Sequence, residues 1–145
     1  MQAGNSRVSV LKKTNGAPFI KEHPGWVVSI SHSYDYAVGA IGTTGKIGID
    51  IEKIGDCPSH DFLRIAFSRN EIEKMGNITA ELVYKNWTIK EAFLKYIEKG
   101  FSECLQRVEI FDNRIFYNNE IVSGLLIQSI TIDNEYMYSM VTNEQ

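Results

Sequence analysis

The order of its periodic segments constrains this chain more than any single residue does. β-Branched runs mark strands at Arg7–Leu11, Trp26–Ser31, Tyr36–Ile41 and Lys46–Glu52, with Gly42-Thr43-Thr44-Gly45 as a tight connection between the last two. Helix signals then take over. His60–Phe67 reads as one helix, and Ser68-Arg69-Asn70-Glu71 has the Ser-x-x-Glu capping pattern that starts another. The longest helix is expected from about Thr79 to Lys99, stopped by Gly100. Strands return at Arg107–Phe111, Arg114–Tyr117, Leu125–Ile132 and Glu135–Thr142. Asp112-Asn113, Asn118-Asn119 and Asp133-Asn134 supply turn chemistry between or beside them. Strands, then helices, then an antiparallel meander are not the alternation of βαβ units. They predict an α+β fold, a small antiparallel sheet packed against a long helix and short helices. No repeat and no Pro- or Gly-rich linker divides the 145 residues, so one domain is expected.

Charge narrows the function. Fifteen basic against eighteen acidic residues give a net charge of −3, which argues against a general nucleic-acid binder. A local cluster of lysines could still hold a small polyanion. Cys57 and Cys104 have no metal-ligand spacing and read as free thiols in a reducing compartment. The polar opening Met1–Arg7 does not resemble a signal peptide, and the apolar runs are too short to span a bilayer. The expectation is a cytoplasmic protein with no nucleic-acid or membrane partner.

Three clusters carry chemistry. In Gly48-Ile49-Asp50-Ile51-Glu52, a strand places Asp50 and Glu52 on one side and the isoleucines on the other. Two adjacent carboxylates repel, and a hard divalent cation such as Mg²⁺ relieves that. The same alternation is also the default pattern of a half-exposed strand. In Trp87–Lys95, Glu91 and Lys95 are four apart and share a helix face with Trp87. Lys90 lies about 100° round the axis and can only flank it. A metal-and-phosphate site or a plain surface ion pair would both fit. Ser29-Ile30-Ser31-His32-Ser33 ends a strand, where Ser31 and His32 could donate to phosphate. A serine hydrolase is a poor reading of it, since no Gly-x-Ser-x-Gly elbow or orienting acid accompanies the pair.

As an ordered set these pieces resemble the 4′-phosphopantetheinyl transferase superfamily. The set is Asn15-Gly16-Ala17-Pro18-Phe19-Ile20, then Ser29–Ser33, Gly48–Glu52, Phe67-Ser68 with Glu71, and Trp87–Lys95, over roughly residues 15 to 100. The motif order is that of the surfactin-type members, with a shortened first lobe. The resemblance implies a remnant of a first lobe at residues 1–45 and a second lobe at 46–145. It implies transfer of 4′-phosphopantetheine from coenzyme A to a serine of an apo acyl or peptidyl carrier protein, as in holo-acyl-carrier-protein synthases, with release of 3′,5′-ADP. Asp50, Glu52 and Glu91 would bind Mg²⁺. Lys95, with Lys90 as a lesser candidate, would meet phosphate oxygens, and Ser31 and His32 would hold the nucleotide phosphates. Glu91, then Glu71, would take the serine proton. Such sites lie between two lobes or two subunits, which implies a homo-oligomer. Ala17 stands where many longer members carry a lysine, so Lys12, Lys13, Lys21 or another subunit would supply that charge. A non-catalytic relative that binds coenzyme A or a carrier protein is the competing reading, and a metal-dependent phosphodiesterase the third.

Overall fold

The computed structural model describes residues 7–143, so Met1–Ser6 of the polar opening segment lie outside the described residues. It is an α+β arrangement. The chain begins with a short hairpin, β1 (Val10–Lys12) and β2 (Pro18–Ile20), followed by a longer one, β3 (Val27–Ser33) and β4 (Tyr36–Gly42). Strand β5 (Ile47–Lys53) leads to helices α1 (His60–Ala66), α2 (Arg69–Met75) and α3 (Ala80–Tyr96). Two 3₁₀ turns precede β6 (Val108–Phe111), β7 (Arg114–Tyr117), β8 (Glu120–Ile121), β9 (Leu125–Ile132) and β10 (Tyr136–Asn143).

The chain-distant β5 becomes one edge of an antiparallel sheet in the order β5-β10-β9, while β6-β7-β8 form a separate meander. The tight connections β6–β7, β7–β8 and β9–β10 are made where Asn and Asp tolerate a left-handed backbone. Asp112-Asn113, Asn118-Asn119 and Asp133-Asn134 all have φ between 50° and 66°. Ser68 and Glu71 form the reciprocal capping box that the sequence pattern predicts. Differences from expectation lie at the ends. The first strand is Val10–Lys12 rather than Arg7–Leu11, Pro18–Ile20 and Glu120–Ile121 pair although too short to show periodicity, and α3 stops at Tyr96.

Helix α3 is the spine. Its Ile89, Ala92, Phe93, Leu94 and Tyr96 pack with Val108, Ile110, Ile115 and Val141. Toward its start, Val83 joins Leu63, Ala66 and Phe67 in a second cluster, with Trp87 packed against it. The helix lies directly on β5 because Gly48 has no side chain. A Cβ there would sit 1.8 Å from the Ala92 carbonyl oxygen. This close approach lets short side chains on β5 reach groups on α3.

Candidate functional site

Strand alternation turns Asp50 and Glu52 to the same face as Gly48, and that face meets α3. The Asp50 carboxylate is buried, 4% exposed. Its Oδ1 accepts from Ser31 Oγ at 2.8 Å and from Lys95 Nζ at 2.9 Å. Its Oδ2 is buried with no hydrogen-bond partner. Lys95 Nζ also donates to the carbonyls of Ile49 (3.0 Å) and Ile30 (3.3 Å), so one ammonium ties α3 to both β3 and β5. Glu52, half-buried, accepts from Ser33 Oγ at 3.2 Å. Glu91 lies one turn before Lys95 and is half-buried.

Three carboxylates gathered this way hold their protons more tightly than free ones. Burial raises the pKa of Asp50 although Lys95 and Ser31 favour its charged form. Burial and then the Asp50 charge raise Glu52; the same two causes raise Glu91, against weaker opposition from the Trp87 indole N–H and Lys95. That indole N–H makes no hydrogen bond of standard geometry. Among the described residues no three metal-ligating side chains converge into a finished cage. Asp50, Glu52 and Glu91 are nonetheless the groups that could share a cation, and Lys95 is the cation already beside them.

A pH prediction follows with a definite sign. A carboxylate whose folded pKa lies above its unfolded value destabilises the fold as pH rises through that window, and fully above it. Glu52→Gln removes one such group. In metal-free buffer its stability relative to the parent should be more favourable at about pH 8 than at about pH 4, read from melting temperatures at both. A difference that does not change with pH would show that the Glu52 proton affinity is ordinary.

The structure does not bring every expected site residue together. Ser31 is at Asp50, but His32 is exposed and, one residue on, points to the opposite face of β3. Ser31 and His32 therefore do not form one phosphate cradle in this arrangement. Lys90 and Glu71 need a larger correction. Both side chains are 0% exposed and pair at 2.6 Å. Lys90 Nζ donates also to the carbonyls of Ala66 and Leu105, and Glu71 accepts from the backbone N–H groups of Ser68 and Ile110. Neither side chain can touch a substrate from there. Burial raises Glu71 and lowers Lys90, and their mutual attraction opposes both shifts. Of the lysines offered in place of the one absent at Ala17, Lys13 is paired with Glu98 at 2.7 Å, whereas Lys12 and Lys21 are exposed.

Two features escaped the sequence reading. One is the contact made possible by Gly48. The other is that the strand expected to end at Ser31 runs on to Ser33, so that Ser29, Ser31 and Ser33 all lie within β3. Their i, i+2 spacing was the signal, since it places all three hydroxyls on one face. Beside Glu52 opens a groove of about 400 Å³, lined in part by Tyr34, Lys53, Tyr84 and Trp87.

Residues 46–128 match the model of the 4′-phosphopantetheinyl transferase superfamily. The chain is 32% identical over 119 residues to the L-aminoadipate-semialdehyde dehydrogenase-phosphopantetheinyl transferase of Xenopus laevis, covering 71% of this chain and 39% of that protein. The Homo sapiens protein of the same name is 33% identical over 111 residues, covering 69% of this chain and 35% of that one. A 4′-phosphopantetheinyl transferase of Bacillus pumilus is 29% identical over 144 residues, covering 90% of this chain and 58% of that protein. The chain thus spans from about a third to somewhat over half the length of these relatives. The family model takes in β5, the three helices, the β6-β7-β8 meander and the start of β9, so it contains the strand and the helix on which the carboxylates and Lys95 meet, and the chain belongs to the 4′-phosphopantetheinyl transferase superfamily.

Proposed function

We propose that this chain transfers 4′-phosphopantetheine from coenzyme A to a serine of an apo acyl or peptidyl carrier protein, with Mg²⁺ as cofactor. One observation carries the reading: Asp50 and Glu52 of β5 face Glu91 and Lys95 of α3, and Asp50 Oδ2 is buried without a partner. An unpaired buried carboxylate oxygen beside two more carboxylates is a donor set that suits a hard, oxygen-seeking cation. Asp50, Glu52 and Glu91 would hold Mg²⁺, which when bound polarises pyrophosphate oxygens and offsets their charge.

The chain's own groups do the rest. Lys95 exchanges a carbonyl acceptor for a phosphate oxygen, and its ammonium stabilises charge that grows in the transition state. The carrier serine oxygen bonds to the β-phosphorus of coenzyme A as the bridging P–O bond breaks, and 3′,5′-ADP leaves with that bond's electron pair. The serine proton passes to Glu91, half-buried and with raised proton affinity. Residues 46–145 would form one lobe of such a site, and residues 1–45 would belong to the other.

Incubation with coenzyme A, Mg²⁺ and an apo-carrier should add one phosphopantetheine to the carrier by mass spectrometry, and a chelator should prevent it. An unmodified carrier under all conditions would overturn the reading. Lys95→Ala is expected to slow transfer about tenfold or more, equivalent to at least about 1.4 kcal/mol of barrier. An unchanged rate would reduce Lys95 to a structural tie. The competing function, binding of coenzyme A or a carrier without turnover, draws on the three acceptors that Lys95 already serves. It predicts a binding isotherm with no mass change.

A further inference from the structure

Strands β3 and β5 run side by side and parallel, yet no backbone ladder joins them. Serine hydroxyls take its place. Ser29, Ser31 and Ser33 accept the N–H groups of Ile49 (3.0 Å), Ile51 (3.2 Å) and Lys53 (3.0 Å) in constant register. These N–H groups lie on the edge of β5 away from β10, since alternate residues of a strand point their amides to opposite edges. Each hydroxyl has one proton left to give. Ser31 gives it to Asp50 Oδ1 at 2.8 Å and Ser33 to Glu52 Oε2 at 3.2 Å. Ser29 stands opposite Gly48, which has no side chain to receive one.

We propose that Ser33 is a positioning residue for the transfer reaction, its backbone-anchored hydroxyl orienting Glu52 as the hydroxyl of Ser31 orients Asp50. The inference rests on the reading of Asp50 and Glu52 as cation ligands. A serine that accepts from a fixed N–H has one of its two lone pairs occupied, which narrows the directions its proton can take. That converts a free-swinging glutamate into one held by a rigid strand. The zipper thus has two uses at Ser31 and Ser33, fastening β3 to β5 and aiming a carboxylate. It has only the first use at Ser29. All three serines are buried, 3% to 7% exposed, so water does not compete for these bonds.

Ser29 is therefore a built-in control. Mn²⁺ binding to the protein with coenzyme A present is to be followed by electron paramagnetic resonance for Ser33→Ala, Ser33→Thr, Ser29→Ala and Glu52→Gln, with melting temperatures on the same samples. Ser33→Ala should weaken Mn²⁺ binding about tenfold or more, the usual effect of removing a group that orients a ligand. Ser33→Thr, which keeps the hydroxyl, should restore it. Ser29→Ala should lower the melting temperature about as much as Ser33→Ala while leaving Mn²⁺ affinity unchanged. Equal affinities for Ser33→Ala and Ser29→Ala, with Glu52→Gln weakened, would overturn the positioning role alone. Unchanged affinity in Glu52→Gln would remove the cation reading of Glu52 and the role of Ser33 with it.

Discussion

Gly48→Ala is expected to destabilise the protein by about 3 kcal/mol or more, at the upper end of what one added methyl does in a packed interior. The new Cβ would lie 1.8 Å from the Ala92 carbonyl oxygen and 2.5 Å from the Tyr96 amide nitrogen. Both are backbone atoms of α3, so no side chain can swing aside, and the helix must lift from the strand. That motion separates Glu91 and Lys95 from Asp50, whose contact with Lys95 is 2.9 Å. Transfer activity should therefore fall even in conditions where the variant remains folded. Urea denaturation supplies the stability, and rates measured well below the midpoint supply the second effect. A variant with parental stability would mean that α3 does not press on β5 as described.

Removing one partner of the buried Lys90–Glu71 pair should cost about 3–5 kcal/mol, because the survivor is a charge in the interior without its counter-charge. Lys90→Met leaves Glu71 with only the Ser68 and Ile110 amides, while Glu71→Gln leaves the ammonium with two carbonyls and a neutral amide. The double variant Lys90→Met/Glu71→Gln should recover part of the loss, with a coupling of about 0.5–3 kcal/mol. Denaturation of all four proteins closes the cycle. Additive single losses would show that the pair is not a unit. The pair also joins α2 to α3, so a functional effect of either single variant is expected to track folded fraction rather than chemistry.

Much of this architecture was legible in local pattern. Asn and Asp pairs at three turns, the Ser68–Glu71 box and the β-branched runs each state their conformation within a few residues. The fold class follows from their order. Strands of two and three residues, such as Glu120–Ile121, were not legible because pairing rather than periodicity makes them strands. The site divides in the same way. Same-face placement of Asp50 with Glu52, and of Glu91 with Lys95, is a consequence of strand and helix period. That placement needs no tertiary information.

What the sequence determined by itself was which side chains share a face, because the periods of strand and helix are properties of the backbone. What only the tertiary structure decided was which faces meet and which groups are sealed from water. Lys90 and Lys95 are both lysines of α3, five residues apart; helix period set Lys90 off the face shared by Glu91 and Lys95 but did not reveal it as an interior tie. Packing did. Lys90 points between α1, α2 and the turn at Leu105, where no water reaches it, whereas Lys95 points across Gly48's strand to Asp50 and keeps about a quarter of its side chain exposed. Burial depends on what the rest of the chain lays over a residue, and that sum over distant segments is not written at any one position.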